Sequence, residues 1–534
     1  MALAYNTTAS YNNAIGYQSL YSNTTGYSNT ALGHRAGYTN STGVQNTFIG
    51  YVVGYSNTTG NYNIAVGSEE ANGYPALYSN STGSGNIAVG AGSLSRNTTS
   101  SFNTAVGHQA AFLSTTGTQN AAFGMQAMYS NTTGAYNTAI GGRNTLTYAV
   151  MNDNTTGSYN TAVGNAALAK NTTNSTSTAV GYGALYSSTA DSNTALGAYA
   201  AYNTTTGAGI VAIGRSCLAL NTTGTSNTAV GAYNSVSGID GALYNNTTGS
   251  YNTAMGVGTL QANTTASNNT AVGYQAGYST TTAASSTYVG YQAGYNLTTG
   301  SVFCAFGYRA GYTQATNTRN TYLGYLAGTL HTGNYSLFVG SYAGQSATSG
   351  NSNCFIGDYA GASVTTAGGN TFLGQYSGAG ITTGQNNTVI GAYDGNFGGL
   401  DIRTASNYIV LSDGDGNPRQ VINNSGALGL NGANYGSSGQ VLTSGGSGAA
   451  PAWTTITSNP GTVTSVATGN GLTGGTITGS GTLSITAPSF QSVGSYMMFN
   501  AQSTSTIVPG SNYSGGNCSY YGRNSSLAGY YVGQ

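Results

Sequence analysis

Charge is almost missing from this chain. Of 534 residues only ten are Lys or Arg and ten Asp or Glu, 4% in all, and the formal net charge is +0. A soluble enzyme usually carries about 25% charged residues. So sparse a set leaves no electrostatic footprint for a nucleic acid and no polybasic patch for an anionic membrane. Cysteine is scarce too. Cys217, Cys304, Cys354 and Cys518 are too few and too scattered for a disulfide framework, and no CxxC pair offers a structural zinc site. No apolar run approaches the ~18 residues of a membrane span. The opening MALAYNTTASYNNAIG has no basic run followed by an apolar stretch, so no secretory signal is read there. Export by another route, release on lysis, or a start further upstream are the remaining readings.

Glycine and tyrosine are abundant, at 84 and 44 residues. Disordered segments avoid aromatic and β-branched residues, yet here both recur in register, which predicts an ordered, β-rich repeat. The phrase NTAVG and its variants end on a glycine at positions 16, 33, 50 and 67, and so on to 374 and 391. Twenty-two copies follow a 17-residue period. Three longer spacings add six to eight residues near 68–85, 142–159 and 232–251. They fall at one phase, so they are expected to bulge from one face without disturbing the stack.

Each phase has its own chemistry. The residue before the marker glycine is sizeable and apolar, which predicts a buried core ladder: Ile15, Leu32, Ile49, Val66, Val89, Val106, Val163, Val180, Val230, Val272 and Val289. The residue before that is mostly Ala, giving way to Tyr288, Tyr322, Phe338, Phe355 and Phe372. Asn stands four residues before the marker in 17 of 22 copies, suited to a ladder of stacked amides. N-T-T-G, as at 131–134, reads as a turn, since Asn tolerates and Gly favours left-handed geometry.

A period of 17 is too short for a helix-turn-helix repeat of ~34 residues. It suits one coil of a parallel β-solenoid, expected as two strands of about five residues and two turns, with YQAGY as the second strand or corner. Stacked at ~4.8 Å, such coils would make a rod of roughly 100 Å. One slim coil buries little against the ordering entropy of its residues. Association about a common axis would bury the second face, and a homotrimer is the expectation on fold analogy. A lone three-sided β-helix with about 18 residues per coil is the alternative.

The NTAVG and NTAIG phrases, over roughly residues 12–391, resemble the N-S-V-A-I-G repeats in the heads of trimeric autotransporter adhesins, which form left-handed parallel β-rolls. The chain is also similar to repeat-containing bacteriophage tail-fibre proteins. IVLSDGDGNPRQVINNSGALGL (409–430) looks like the connector after such repeats. SSGQVLTSGGSGAAPAWTT (437–455) and GTVTSVATGNGLTGGTITGSGTLSI (461–485) look like shaft segments. The resemblance implies a trimeric, extracellular, non-enzymatic fibre on a virion, whose distal end contacts a glycan or protein of the host surface. Its other partners would be further virion subunits, with no nucleic acid and no membrane insertion. A microbial extracellular filament or cell-surface adhesin, glycosylated at its N-T-T turns, is the second reading.

Chemistry-bearing residues are few. His34 and His108 follow marker glycines, where Tyr often stands, and read as surface substitutions. The Glu69–Glu70 pair opens the first insertion, but neighbours on one strand point apart, unlike the converging carboxyls of a glycosidase. Asp413, Asp415 and Asn417 resemble the start of a calcium loop that lacks its distal Glu, and a hairpin turn explains them better. Cys304 and Cys354 share one phase three coils apart, beyond disulfide reach, and read as small apolar fillers. Most Tyr keep fixed phases, as Tyr274 and Tyr278 do, which predicts a stacking ladder. Glycan or receptor contact is assigned instead to Tyr513, Tyr520, Tyr521, Tyr530 and Tyr531, outside the register. Asn-x-Ser/Thr sequons recur in the turns, giving Asn23, Asn57, Asn131, Asn154 and Asn221 as glycosylation candidates.

The expected organisation is a β-solenoid over 1–400, a β-hairpin connector over 401–436, a Gly/Ser/Thr-rich β shaft over 437–488 and an end segment over 489–534, read as an incomplete tip. No cofactor, metal or catalytic residue is expected.

Overall fold

The computed structural model of the chain describes residues 1–68, 73–143 and 148–456. Among them no helix forms, and the protein is a parallel β-solenoid of about 17 residues per coil. Twenty-two three-residue strands, β1 (Asn13–Ile15) through β22 (Thr388–Ile390), recur once per coil. Each pairs in parallel with the next, Ala14 against Ala31 and Ala31 against Phe48, with like phases opposite one another to the end of the stack. The longer spacings follow Gly67, Gly141 and Gly231, and the flanking strands stay in register: Ala65 faces Ala88, Ala139 faces Ala162, and Ala229 faces Ala254.

Each coil holds one short strand rather than the two longer ones expected, because the backbone turns left-handed three times per coil. In the second coil Ser28 (φ 57) and Arg35 (φ 52) are of this kind, and in the first Leu20 (φ 46). A side chain in this region is strained, and a surrounding lattice has to hold it there. Here the lattice is the neighbouring coil. Ser28 donates its N–H to the Ser10 carbonyl (3.0 Å), Arg35 to Tyr17 (2.8 Å) and Leu20 to Ala36 (3.0 Å). YQAGY is thus a corner, not a strand, yet its amides still bond along the stack. The marker glycines lie where coils come closest. A Cβ on Gly33 would sit 2.1 Å from the Gly50 carbonyl oxygen, and its φ of +138° suits only glycine.

The strand reverses the expected core. Successive side chains of a strand point to opposite faces. In every triplet from β2 (Thr30–Leu32) onward the middle residue is buried and its neighbours are not. The core column is Ala31, Phe48, Ala65, Ala88 and onward, two residues before each marker. The column expected inside faces out. Ile15 is 67% exposed, Leu32 45% and Val272 36%. Ile49, Val66, Val89, Val106, Val163, Val180, Val230 and Val289 are half-buried. Hydrophobicity at that phase was plain, but three residues of strand cannot bury both of its apolar columns inside one coil.

Core volume is conserved between two phases. Where the strand centre is Ala, the residue four after the marker is usually large, as in Ala179 with Leu185. Where the centre is Phe or Tyr, that position is Gly, and the ring occupies the space. A Cβ on Gly361 would lie 2.6 Å from the Phe355 ring, and one on Gly54 2.4 Å from Phe48. In the later coils Phe338, Phe355 and Phe372 stack at 4.7 and 4.8 Å. The buried turn position follows the same trend, passing from Asn to Leu297, Ala347, Val364 and Ile381.

After Gly391 the repeat ends. β25 (Ile409–Ser412) adds one more parallel rung on β22, with Thr388 opposite Ile409. The intervening chain makes a small hairpin of β23 (Asn396–Phe397) and β24 (Leu400–Asp401). The antiparallel strands β26 (Pro418–Ile422) and β27 (Leu428–Leu430) then cover the last parallel edge, which would otherwise invite further pairing. This compact unit runs from Met1 to Asn434, so the 409–430 connector is part of it. A second unit begins at Tyr435, where β28 (Gln440–Thr443) pairs antiparallel with β29 (Ala452–Thr455).

Candidate interaction surface

Two amide ladders fix the coil shape and leave its outer columns free. In the first, Asn46 donates its backbone N–H to the Asn29 Oδ1 (2.9 Å), and its own Oδ1 accepts from the Asn63 N–H (2.9 Å). In the second, built by the turn asparagines, Asn40 Nδ2 donates to Asn23 Oδ1 (3.0 Å) and Asn57 Nδ2 to Asn40 Oδ1 (2.6 Å). The ladders converge: the Gly43 carbonyl accepts from Asn29 Nδ2 (2.8 Å) and Asn40 Nδ2 (3.0 Å). Sequence reasoning found the first ladder and missed the second. Its signal was present, since Asn23, Asn40, Asn57, Asn80 and Asn97 also share one phase.

That second ladder overturns the glycosylation assignment. Asn23, Asn57, Asn131, Asn154 and Asn221 are fully buried, and each donates its Nδ2 to the glycine carbonyl three residues on. A glycan on Nδ2 has no room inside the stack. Protein produced in a glycosylating secretory host is expected to carry unmodified Asn57 in its folded fraction. Peptide mapping of that fraction checks this, and occupancy at Asn57 would contradict the buried ladder.

The calcium candidate is a turn. Asp413 Oδ1 accepts from the backbone N–H groups of Asp415 (3.1 Å) and Asn417 (2.9 Å), and Oδ2 from Arg419 Nε (2.9 Å). Loss of solvent pushes its carboxyl up, but the bonds from Asn417 and Arg419 outweigh this and hold it at about 2. Its lone pairs are thereby used within the β25–β26 hairpin. Among the described residues no group of three His, Cys, Asp or Glu converges as a metal site.

Cys304 and Cys354 open strands of their own coils and are half-buried free thiols, while Cys217 is buried. Glu69, Glu70, Cys518, Tyr513, Tyr520, Tyr521, Tyr530 and Tyr531 lie outside the described residues. His34 stands in a tyrosine column, stacked between Tyr17 (5.3 Å) and Tyr51 (4.9 Å).

His331 is a core residue that sequence reasoning passed over. It occupies the buried turn phase, where Asn usually stands. Its Nε2–H donates to the Gly350 carbonyl (2.7 Å), so Nδ1 of the neutral ring accepts from the Tyr322 hydroxyl (2.6 Å). Burial lowers its pKa to about 4. The folded chain therefore disfavours the proton, so this contribution is complete above ~6.5 and is lost as pH falls through 4. The coils around 331 are expected to lose up to about 3 kcal/mol over that window. Hydrogen exchange of those coils from pH 7 to 4 checks this, and His331→Asn should flatten the response.

The outward face is regular. Tyr274 stacks on Tyr291 (5.3 Å), and Tyr278 on Tyr295 (5.0 Å). Ring faces cover one another, so the columns present edges, and a sugar finds no open face along them. Beside them run two outer columns of the strand. One is mostly threonine, with Thr30, Thr47, Thr104 and Thr138 in it; the other is the apolar column of Ile15, Leu32, Ile140, Leu196 and Leu323. An apolar column repeated at one phase along the whole stack is unusual on a monomer. No family model matches the chain, and neither a curated protein nor a solved structure matches it.

Proposed function

We propose that the chain is the rod of a structural fibre, a phage tail fibre that attaches a virion to its host surface, and that it assembles as a homotrimer. The observation that supports this reading is the exposed apolar column. It runs the length of a stack whose coils already satisfy their own amides, so further copies of the chain are its natural cover. Three rods packed through that face would each bury a stripe that water meets in a single coil stack. Repetition serves the role, because identical coils set length and stiffness without any one of them being a site. Weak contacts at the host surface, repeated threefold, then give avidity.

Gold-labelled antibody against the folded protein, imaged on intact particles, tests the function. Label on discrete rods projecting from virions is expected, and a continuous helical filament built from this chain would overturn the reading. Charges placed in the outer column test the assembly. Val163→Lys, Val180→Lys and Leu196→Lys together touch no inward side chain. They are expected to leave the solenoid folded, with an unchanged far-ultraviolet spectrum, while reducing the particle to a single chain.

A further inference from the structure

The tyrosine columns have ends, and one of them opens into a cavity. Tyr342, Tyr359 and Tyr376 stack at 4.7 and 5.3 Å. The next residue in phase, Tyr393, leaves the column and turns inward, where it is fully buried with its hydroxyl on the Leu400 carbonyl (2.8 Å). Tyr376 is therefore the last rung, stacked on one face only among the described residues. Its ring borders a cavity of about 400 Å³, within the range of small-molecule pockets. Phe397 of the β23–β24 hairpin also lines it and is exposed. Asp394 and Asp415 supply the carboxylates of the lining.

The polar groups around this cavity are unevenly matched. Arg403 is paired with Asp401 and Arg419 with Asp413, so both nearby cations are taken. Asp394 accepts one bond, from the Asn396 N–H (2.9 Å), and the Asp415 carboxylate accepts none among the described residues. Two aromatic surfaces set against two carboxylates with unused lone pairs fit a ligand that is apolar on its faces and rich in hydroxyl donors at its edge. A metal ion would find no third ligand here.

We infer that this cavity is a saccharide site, in which a pyranose lays a C–H face on Tyr376 or Phe397 and donates hydroxyls to Asp394 and Asp415. The inference does not depend on the fibre reading, since it rests on the lining of a cavity within the first compact unit. Its residues also differ from the tyrosines assigned to the end segment.

Saturation-transfer NMR on the full chain tests it, with the methyl glycosides of glucose, galactose, mannose, N-acetylglucosamine and rhamnose offered singly. Transfer to the ring C–H protons of at least one glycoside is expected. It should weaken by at least about tenfold in Phe397→Ala and in Asp415→Asn, and stay unchanged in Tyr278→Ala, a mid-column control. Asp415→Asn alters one exposed group without loss of volume, so it carries the test alone should Phe397→Ala unfold. Absence of transfer from all five glycosides would overturn the proposal, as would transfer that survives Asp415→Asn. Binding of tetramethylammonium without any glycoside would make it a cation site and overturn it equally.

Discussion

Phe355→Ala is expected to cost about 3–5 kcal/mol, and Gly361→Leu added to the same chain is expected to recover most of that loss. Phe355 is fully buried between Phe338 and Phe372, so removing its ring empties the centre of its coil and takes the stacking partner from both neighbours. A side chain at Gly361 alone would collide with that ring, since even a Cβ lies 2.6 Å from it. Gly361→Leu by itself should therefore be at least as damaging as the cavity. The two changes together rebuild the pairing found elsewhere in the stack, Ala179 with Leu185. Leu185 already holds a left-handed φ of 51°, close to the 60° of Gly361. A double-mutant cycle by chemical unfolding measures the coupling. Additive losses would show that the two phases do not share one volume.

Asn46→Leu is the second large effect. Leucine fills the space of the amide but offers no acceptor to the Asn63 N–H (2.9 Å) or to Asn63 Nδ2 (3.1 Å), both buried. Asn63 Nδ2 keeps its other bond to the Gly83 carbonyl (2.9 Å), and two unmet N–H donors at about 1–3 kcal/mol each predict a loss of roughly 2–6 kcal/mol. Coils contact only their neighbours, so the loss should be local. Hydrogen exchange at the Asn63 amide should accelerate strongly, while coils ten repeats away keep their protection. Uniform acceleration along the chain would contradict a stack of nearest-neighbour units.

Much of this was legible in the chain. The 17-residue period places each strand from β1 to β22, and the glycine marker, the Asn ladder and the loop position of the long spacings all follow from it. The apolar residue before each marker misled, because hydrophobicity at a fixed phase does not say which side of a three-residue strand faces the coil. Alternation decides that, and it favoured the small Ala of the column two before the marker. The turn asparagines were hidden for a related reason. N-T-T-G is ordinary turn chemistry, and only their shared phase separates a buried ladder from solvated loops. The exchange of Phe355 with Gly361 for Ala179 with Leu185 is also written in the sequence, but it shows only once the two phases are known to touch. The end cavity has no repeat to announce it, since it forms where Tyr393 breaks the pattern.

Sedimentation equilibrium of the intact protein over a wide concentration range tests the account most directly. The proposed homotrimer, which covers the exposed column of Ile15, Leu32, Leu196 and Leu323, predicts one species at three times the 53.6 kDa chain mass, stable on dilution. A folded particle of 53.6 kDa at all concentrations would contradict it.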